Sequence, residues 1–195
     1  MNLTFRRYDG EAARAARATV ETVYRDAYVE AVASGDPFNG PEPFMRRFDA
    51  YTEPGRGFDL VIAFEDGEPV GQSWGWPLRP GASWWDGLDA EPEPGFTDED
   101  GSRTFALSEI MVRRPWTGRG VAHALHDELL RGRNEKRATL LVEPGNDVAY
   151  RAYTAWGWRK VAQLRPGWPD APLYDVLILP LPVRAVRDVP LQRRQ

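Results

Sequence analysis

Apolar and polar residues alternate through "LTFRRY", residues 3–8, a period of two that predicts a short first strand. From Glu11 the period lengthens. Val20, Val23, Tyr24, Tyr28 and Val32 recur at helical spacing through "EAARAARATVETVYRDAYVEAVA", and Asp9 stands where an N-cap belongs. "SGDPFNGPEP" breaks that pattern, and a second helix is expected to start at a proline in "PFMRRFDAYT". "GFDLVIAFEDGEPVGQSWGW" holds two strand-like runs around Asp66-Gly67, a pair suited to the left-handed dihedrals of a tight hairpin turn.

Further along, "TFALSEIMV" predicts a strand and "GRGVAHALHDELLRG" a helix, with Val121, Leu125 and Leu129 on one side and Gly132 as its stop. "ATLLVEP" predicts another strand. "NDVAYRAYTAWG" predicts a short helix capped by Asn146 and closed by Gly157, and "WRKVAQL" and "PLYDVLILPL" supply two last strands. This order, β-α-α-β-β then β-α-β-α-β-β, predicts a mixed α/β fold: one layer of sheet with helices on its faces. A single domain over residues 1–181 suits a chain of 195 residues, and the polar, basic stretch 182–195 is expected to be a loosely held tail.

Residues 79–103 interrupt the alternation. They are rich in Pro, Gly and acid, with seven carboxylates between Asp86 and Asp100. A loop of this length reads either as a solvated surface segment or as a lid over a pocket, and Trp84-Trp85 favours at least partial packing.

Composition narrows the chemistry. The chain has no cysteine, which excludes disulfides, a thiolate nucleophile and a Cys-based zinc site. A net charge of −4 argues against broad nucleic-acid binding. No apolar run reaches membrane-spanning length, and "MNLTFRRYDG" lacks a signal-like stretch, so a soluble cytoplasmic protein is expected. His123 and His126 are spaced i, i+3 with no third ligand in view; solvated or phosphate-facing imidazoles are expected, and no metal.

The stretch "IMVRRPWTGRGVAHALHDELL", residues 110–130, puts a Gly-x-Gly turn between a strand and a helix. A bare Gly-x-Gly arises about once or twice by chance in such a chain, so context must carry it. A P-loop would need Gly-Lys-Ser/Thr, which Arg119-Gly120-Val121 does not supply. A dinucleotide fingerprint would need a third small residue where His123 stands. What remains is a helix start with unpaired N–H groups and a partial positive charge, which attracts an anion.

"VRRPWTGRGVAHAL" resembles the acyl-CoA-binding segment of the GNAT superfamily of N-acyltransferases, with Gly120 and Ala122 at the last two positions of its pattern and Thr117 where Arg or Gln is usual. "NDVAYRAYTAWGWRKV" resembles the family's second segment: Asn146, Ala149, Tyr153, Gly157 and Trp158 all fall in register. The resemblance implies a twisted mixed sheet with helices on both faces, in which the central parallel strands "TFALSEIMV" and "ATLLVEP" splay apart. It implies that acetyl-CoA binds with its pyrophosphate on the backbone of Gly118, Arg119, Gly120, Val121 and Ala122, with Thr117 also at the cofactor site, and its pantetheine arm near Met111 and Val112. Asn146 is implied at the cofactor site by its motif position. The implied reaction is attack of a primary amine, on a small molecule or peptide, through a tetrahedral intermediate; a homodimer is common in the family. A non-catalytic acyl-CoA-binding domain is the alternative.

Such a reaction needs a base, an oxyanion donor and an acid. Tyr153 matches the family's acid by position; the competing reading is a core tyrosine. Glu109 is the candidate base, because Leu107, Ile110, Met111 and Val112 around it would desolvate the carboxyl and raise its pKa. A structural carboxylate paired with arginine is the other reading. Alternation puts Ser108 and Glu109 on opposite faces, and which of them meets the cleft stays open. Asp59 and Glu143 are further candidates, and a backbone N–H near Met111 is the expected oxyanion donor. Trp74, Trp76 and Trp85, with Trp84, either line the acceptor side or pack the core; with an acidic lid, the acceptor would be cationic with an apolar body.

Overall fold

Among the described residues, seven strands form one sheet in the order β1-β2-β3-β4-β5-β7-β6. The computed structural model describes residues 2–34, 40–167 and 171–182. The strands are β1 (Leu3–Asp9), β2 (Asp59–Glu65), β3 (Glu68–Pro77), β4 (Thr104–Val112), β5 (Arg137–Val142), β6 (Arg159–Leu164) and β7 (Tyr174–Pro180). Every neighbouring pair is antiparallel except β4 with β5. The Asp66-Gly67 hairpin forms as expected, both residues taking positive φ (51° and 86°).

Six helices among the described residues cover the faces. They are α1 (Gly10–Ala15), α2 (Arg17–Ala27), α3 (Val29–Ala33), α4 (Pro41–Tyr51), α5 (Val121–Leu130) and α6 (Asp147–Ala155). Asp9 caps α1, accepting from Ala12 N. The single helix expected over 11–33 is in fact three. At Ala16 the amide bonds to both Ala12 O and Ala13 O, tightening the turn and re-aiming the axis so that Val20, Val23 and Tyr24 reach the sheet. At Tyr28 the backbone leaves helical dihedrals (φ −111°, ψ 41°). Tyr28 is thereby removed from the buried stripe and keeps 38% of its surface.

Three apolar clusters divide the interior. One packs α5 and α6 on one face of the sheet, through Val121, Leu125, Leu129 and Tyr153 against Phe105, Leu107 and Leu140. A second packs α2 and α4 on the opposite face, through Val20, Tyr24, Phe44 and Phe48 against Leu60, Ile62, Trp74 and Met111. The third lies under the acidic loop. That loop is held rather than swinging: Trp85 and Phe96 join Leu78, Ala106 and Leu164, while Arg137 binds Phe96 O and Glu99, and Arg103 binds Gly95 O and Asp98 O. Its Gly87–Asp89 segment also covers part of the β6 edge, with Asp89 N on Gln163 O and Arg165 N on Gly87 O. The tail from residue 183 lies outside the described residues.

Candidate active site

The turn before α5 is shaped by its glycines. Gly118 and Gly120 have φ of 72° and 82°, and a Cβ on either would meet no atom. The backbone hand, rather than crowding, demands glycine there. Helix α5 starts at Val121 with no side-chain cap and no acid in its first turn. The N–H groups of Val121, Ala122 and His123 therefore have no intrahelical acceptor. Three contacts fix the turn from below. Glu65 takes Trp116 Nε1 (2.7 Å) and pairs with Arg119 (3.3 Å), and Arg113 pairs with Asp26 (2.8 Å). The Thr117 hydroxyl is used inside the turn, donating to Arg114 O (2.8 Å).

Beside this turn the sheet opens. Parallel pairing of β4 and β5 is limited to Thr104–Arg137, Phe105–Ala138 and Ala106–Thr139, although β4 runs on to Val112 and β5 to Val142. Arg113 N donates to Val70 O (2.9 Å) and the Met111 carbonyl lies against Gly71, so these residues turn their backbone groups toward β3. By alternation Ile110 and Val112 turn theirs toward the gap that β5 has left. Met111, expected near the oxyanion donor, has the other parity.

A bulge settles the orientation of Glu109. Trp74 pairs with Glu109 but Gly75 pairs with Leu107, leaving Ser108 as the extra residue of β4. Upstream, Phe105 and Leu107 face α5 and α6; past the bulge, Met111 and Glu109 face α2 and α4. Without Ser108, Glu109 would fall on the opposite face. Glu109 is half-buried as a residue, and its carboxyl lies deep among protein atoms. Burial raises its pKa from 4.5 to about 7, against a smaller lowering by Arg47. The alternative carboxylates are spoken for or remote: Asp59 is bound by Arg7 and Arg133, and Glu143 is exposed beyond the end of β5.

Tyr153 rides on α6, whose ends match the sequence reading. Asn146 accepts from Ala149 N (3.2 Å), and at the other end Trp158 N reaches Tyr153 O past Gly157 at φ 93°. Asn146 thus serves first as a helix cap. The Tyr153 ring packs edge-on against Trp156 and Trp158, leaving 8% of the residue accessible. Its hydroxyl has no hydrogen-bond partner among the described residues. Burial raises its pKa, and the Glu109 charge raises it further.

His126 is neither solvated nor phosphate-facing, contrary to expectation. It is 1% exposed, with Trp158 Nε1 donating to its Nε2 (3.0 Å) and its Nδ1 against Asp127 (2.9 Å). Because the indole N–H occupies Nε2, the imidazole proton sits on Nδ1. His123, His126 and Asp127 come together in a group that could suit a metal, but this tautomer leaves His126 no lone pair to give. The bonds instead lock α6 to α5, which aligns Tyr153 with the turn. His123 stacks on Trp156 (4.9 Å, 6°).

The tryptophans divide. Trp74 is 1% exposed among Phe44, Phe48 and Phe58, and Trp85 is sealed against Phe96 with its Nε1 on Glu99. Both are packing residues, because a ligand could reach neither without opening a core. Trp76 stays partly accessible, stacked on Tyr51 (4.4 Å, 28°) and edge-on to Trp84. Sequence reasoning missed Arg47, whose charge lowers the Glu109 pKa, and Tyr28, Tyr51 and Tyr174, whose pKa values are raised by burial first and, less, by the Glu109 charge. Only the helix-breaking position of Tyr28 could have hinted at this, and the apolar stripe concealed it.

Residues 8–158 match the model of the Acetyltransferase (GNAT) family. Among solved structures, the fold is similar to an acetyltransferase from Thermus thermophilus, at 17% identity and TM-score 0.61, covering 93% of this chain and 98% of that one. It is similar to yncA from Salmonella typhimurium, solved with its cofactor acetyl-CoA, at 16% identity and TM-score 0.60, covering 97% and 99%. It is also similar to the ribosomal-protein-S18-alanine N-acetyltransferase from Escherichia coli, at 13% identity and TM-score 0.60, covering 95% and 98%. At these identities the likeness is one of fold. No curated protein matches the sequence. With the family model spanning most of the chain, and the splayed strands and glycine turn in place, the chain belongs to the GNAT acetyltransferase family.

Proposed function

We propose that the protein transfers the acetyl group of acetyl-CoA to a primary amine of a small molecule or peptide. One observation carries this reading: beside the gap where β4 and β5 part stand Glu109, a carboxyl that burial holds near pKa 7, and Tyr153, whose hydroxyl has no partner among the described residues and is acted on by the Glu109 charge. The residues at hand fit the donor. Uncapped N–H groups from Gly118 to Ala122 suit a diphosphate, with Arg119 able to add donors beyond its Glu65 contact. The Ile110 and Val112 backbone groups suit the amides of a pantetheine arm, as an added strand would. One of these N–H groups is also the oxyanion donor in this reading.

Glu109 takes the proton of the incoming ammonium, a role its pKa suits near neutrality. Tyr153 gives a proton to the leaving thiolate. Its raised pKa makes that transfer harder while Glu109 is charged. Once Glu109 has accepted a proton, however, the charge that opposed ionisation of Tyr153 is gone, so base and acid act in sequence. A protein that only bound CoA would have no use for either group, which is why we favour catalysis over a binding role.

Thiol release from acetyl-CoA with a panel of primary amines tests the proposal. Release above the amine-free rate is expected with at least one amine; CoA binding without any amine-dependent release would leave only the binding domain.

A further inference from the structure

The segment from β4 into α5 carries Arg113, Arg114 and Arg119, and each of them is paired with an acid from another element. Arg113 pairs with Asp26 (2.8 Å), with Glu68 further out (3.7 Å), Arg114 pairs with Glu30, and Arg119 pairs with Glu65 (3.3 Å). The first two tie the segment to its surroundings. Arg113 bonds Asp26 through Nε and also donates to Pro69 O (2.8 Å), joining the end of β4 to α2 and β3. Arg114 lies ahead of the glycines and reaches across to α3. Arg119 differs. It stands between Gly118 and Gly120, its side chain is 45% exposed, and it meets Glu65 through one nitrogen.

Glu65 is built to release that partner at little cost. It ends β2, its side chain is 17% exposed, and its two oxygens do different work. Oε2 accepts Trp116 Nε1 (2.7 Å), while Oε1 meets Arg119. If Arg119 turns to another anion, the carboxylate keeps the indole bond and is not left without a partner. The shape of the turn does not depend on the Arg119 pair either. Trp116 lies against the Arg113 guanidinium (5.0 Å), and its amide donates to Arg113 O (2.9 Å). The ion pair itself is weak, being half-exposed and made through a single contact. Phosphate oxygens offer the same guanidinium stronger, charge-assisted bonds.

Resting on the acetyl-transfer reading, we infer that Glu65 is the resident counter-ion of the empty donor turn: it competes with the cofactor's diphosphate for Arg119 and so holds coenzyme A affinity down. Binding then exchanges one ion pair for another instead of adding one. Part of the attraction between Arg119 and the diphosphate offsets the lost Glu65 contact, and the carboxylate that remains nearby repels the phosphates. Glu65 is thus a positioning residue that acts on the cofactor through Arg119.

Calorimetric titration of coenzyme A into the wild type, Glu65→Gln, Arg119→Gln and the double variant tests this. Glutamine keeps an acceptor for Trp116 but carries no charge, so Glu65→Gln should melt as the wild type does. It is expected to bind coenzyme A about three- to tenfold more tightly, a gain that damage to the turn would not produce. Its affinity should also fall more steeply with added salt, because its Arg119 forms a new ion pair on binding. Arg119→Gln is expected to bind about tenfold more weakly, and in that background Glu65→Gln should gain less than about twofold. Affinity in Glu65→Gln equal to or below that of the wild type overturns the inference while leaving acetyl transfer standing. The same gain with and without Arg119 also overturns it, since plain repulsion would then suffice. A wild type that takes up no coenzyme A removes the acetyl-transfer reading, and this inference with it.

Discussion

Replacing Glu109 by Gln should make the protein nearly inactive and more stable at the same time. Glutamine keeps the shape but accepts no proton, and loss of a general base costs about 10²–10⁴ in rate. The stability gain follows from the same burial. A carboxyl whose pKa is 4.5 when unfolded and about 7 when folded binds more protons in the native state between those pH values. Stability therefore falls as pH rises from about 4.5 to 7 and stays lower above that. The displacement corresponds to at most about 3 kcal/mol, less to the extent that water reaches the group. Glu109→Gln should recover about 1–3 kcal/mol at pH 8, a rise in Tm of several degrees, and nothing at pH 4. Wild-type kcat/KM should correspondingly climb with pH through about 7, and the variant's residual rate should lack that limb. Thermal melts at pH 4 and 8 beside pH–rate profiles check both halves. A variant destabilised at pH 8 would mean that Glu109 is a structural ion-pair partner instead.

Tyr153→Phe is the second large effect, with a different signature. The hydroxyl has no partner among the described residues, so its removal should change stability by less than about 0.5 kcal/mol, whereas loss of a satisfied buried hydrogen bond costs about 1–1.5 kcal/mol. The ring contacts with Trp156 and Trp158 survive the substitution. Turnover should nonetheless fall about 10²-fold or more, with CoA affinity unchanged, because only proton donation to the thiolate is lost. Single-turnover kinetics with calorimetry separate these quantities. Unchanged turnover would remove Tyr153 from the chemistry.

The legible parts of the molecule were those written locally. Asp9 and Asn146 announce helix starts, Asp66-Gly67 a turn and Gly157 a helix end, because each acts on backbone groups within a few residues. The glycine turn and the α6 motif were legible for the same reason, and together they pointed to the family and to Tyr153. The orientation of Glu109 was not, since one extra residue at Ser108 inverts every face downstream of it. Nor was the fate of His126, which depends on Trp158 thirty-two positions away. The breaks at Ala16 and Tyr28 arise from packing against the sheet, which overrides an otherwise continuous helical pattern.

The most direct measurement is a calorimetric titration with coenzyme A beside one with pantetheine, which shares the arm but lacks the diphosphate. If the backbone from Gly118 to Ala122 receives that diphosphate, coenzyme A should bind with measurable heat and pantetheine about 100-fold or more weaker. Absence of heat with coenzyme A, or equal affinity for the two, would contradict the account at its base.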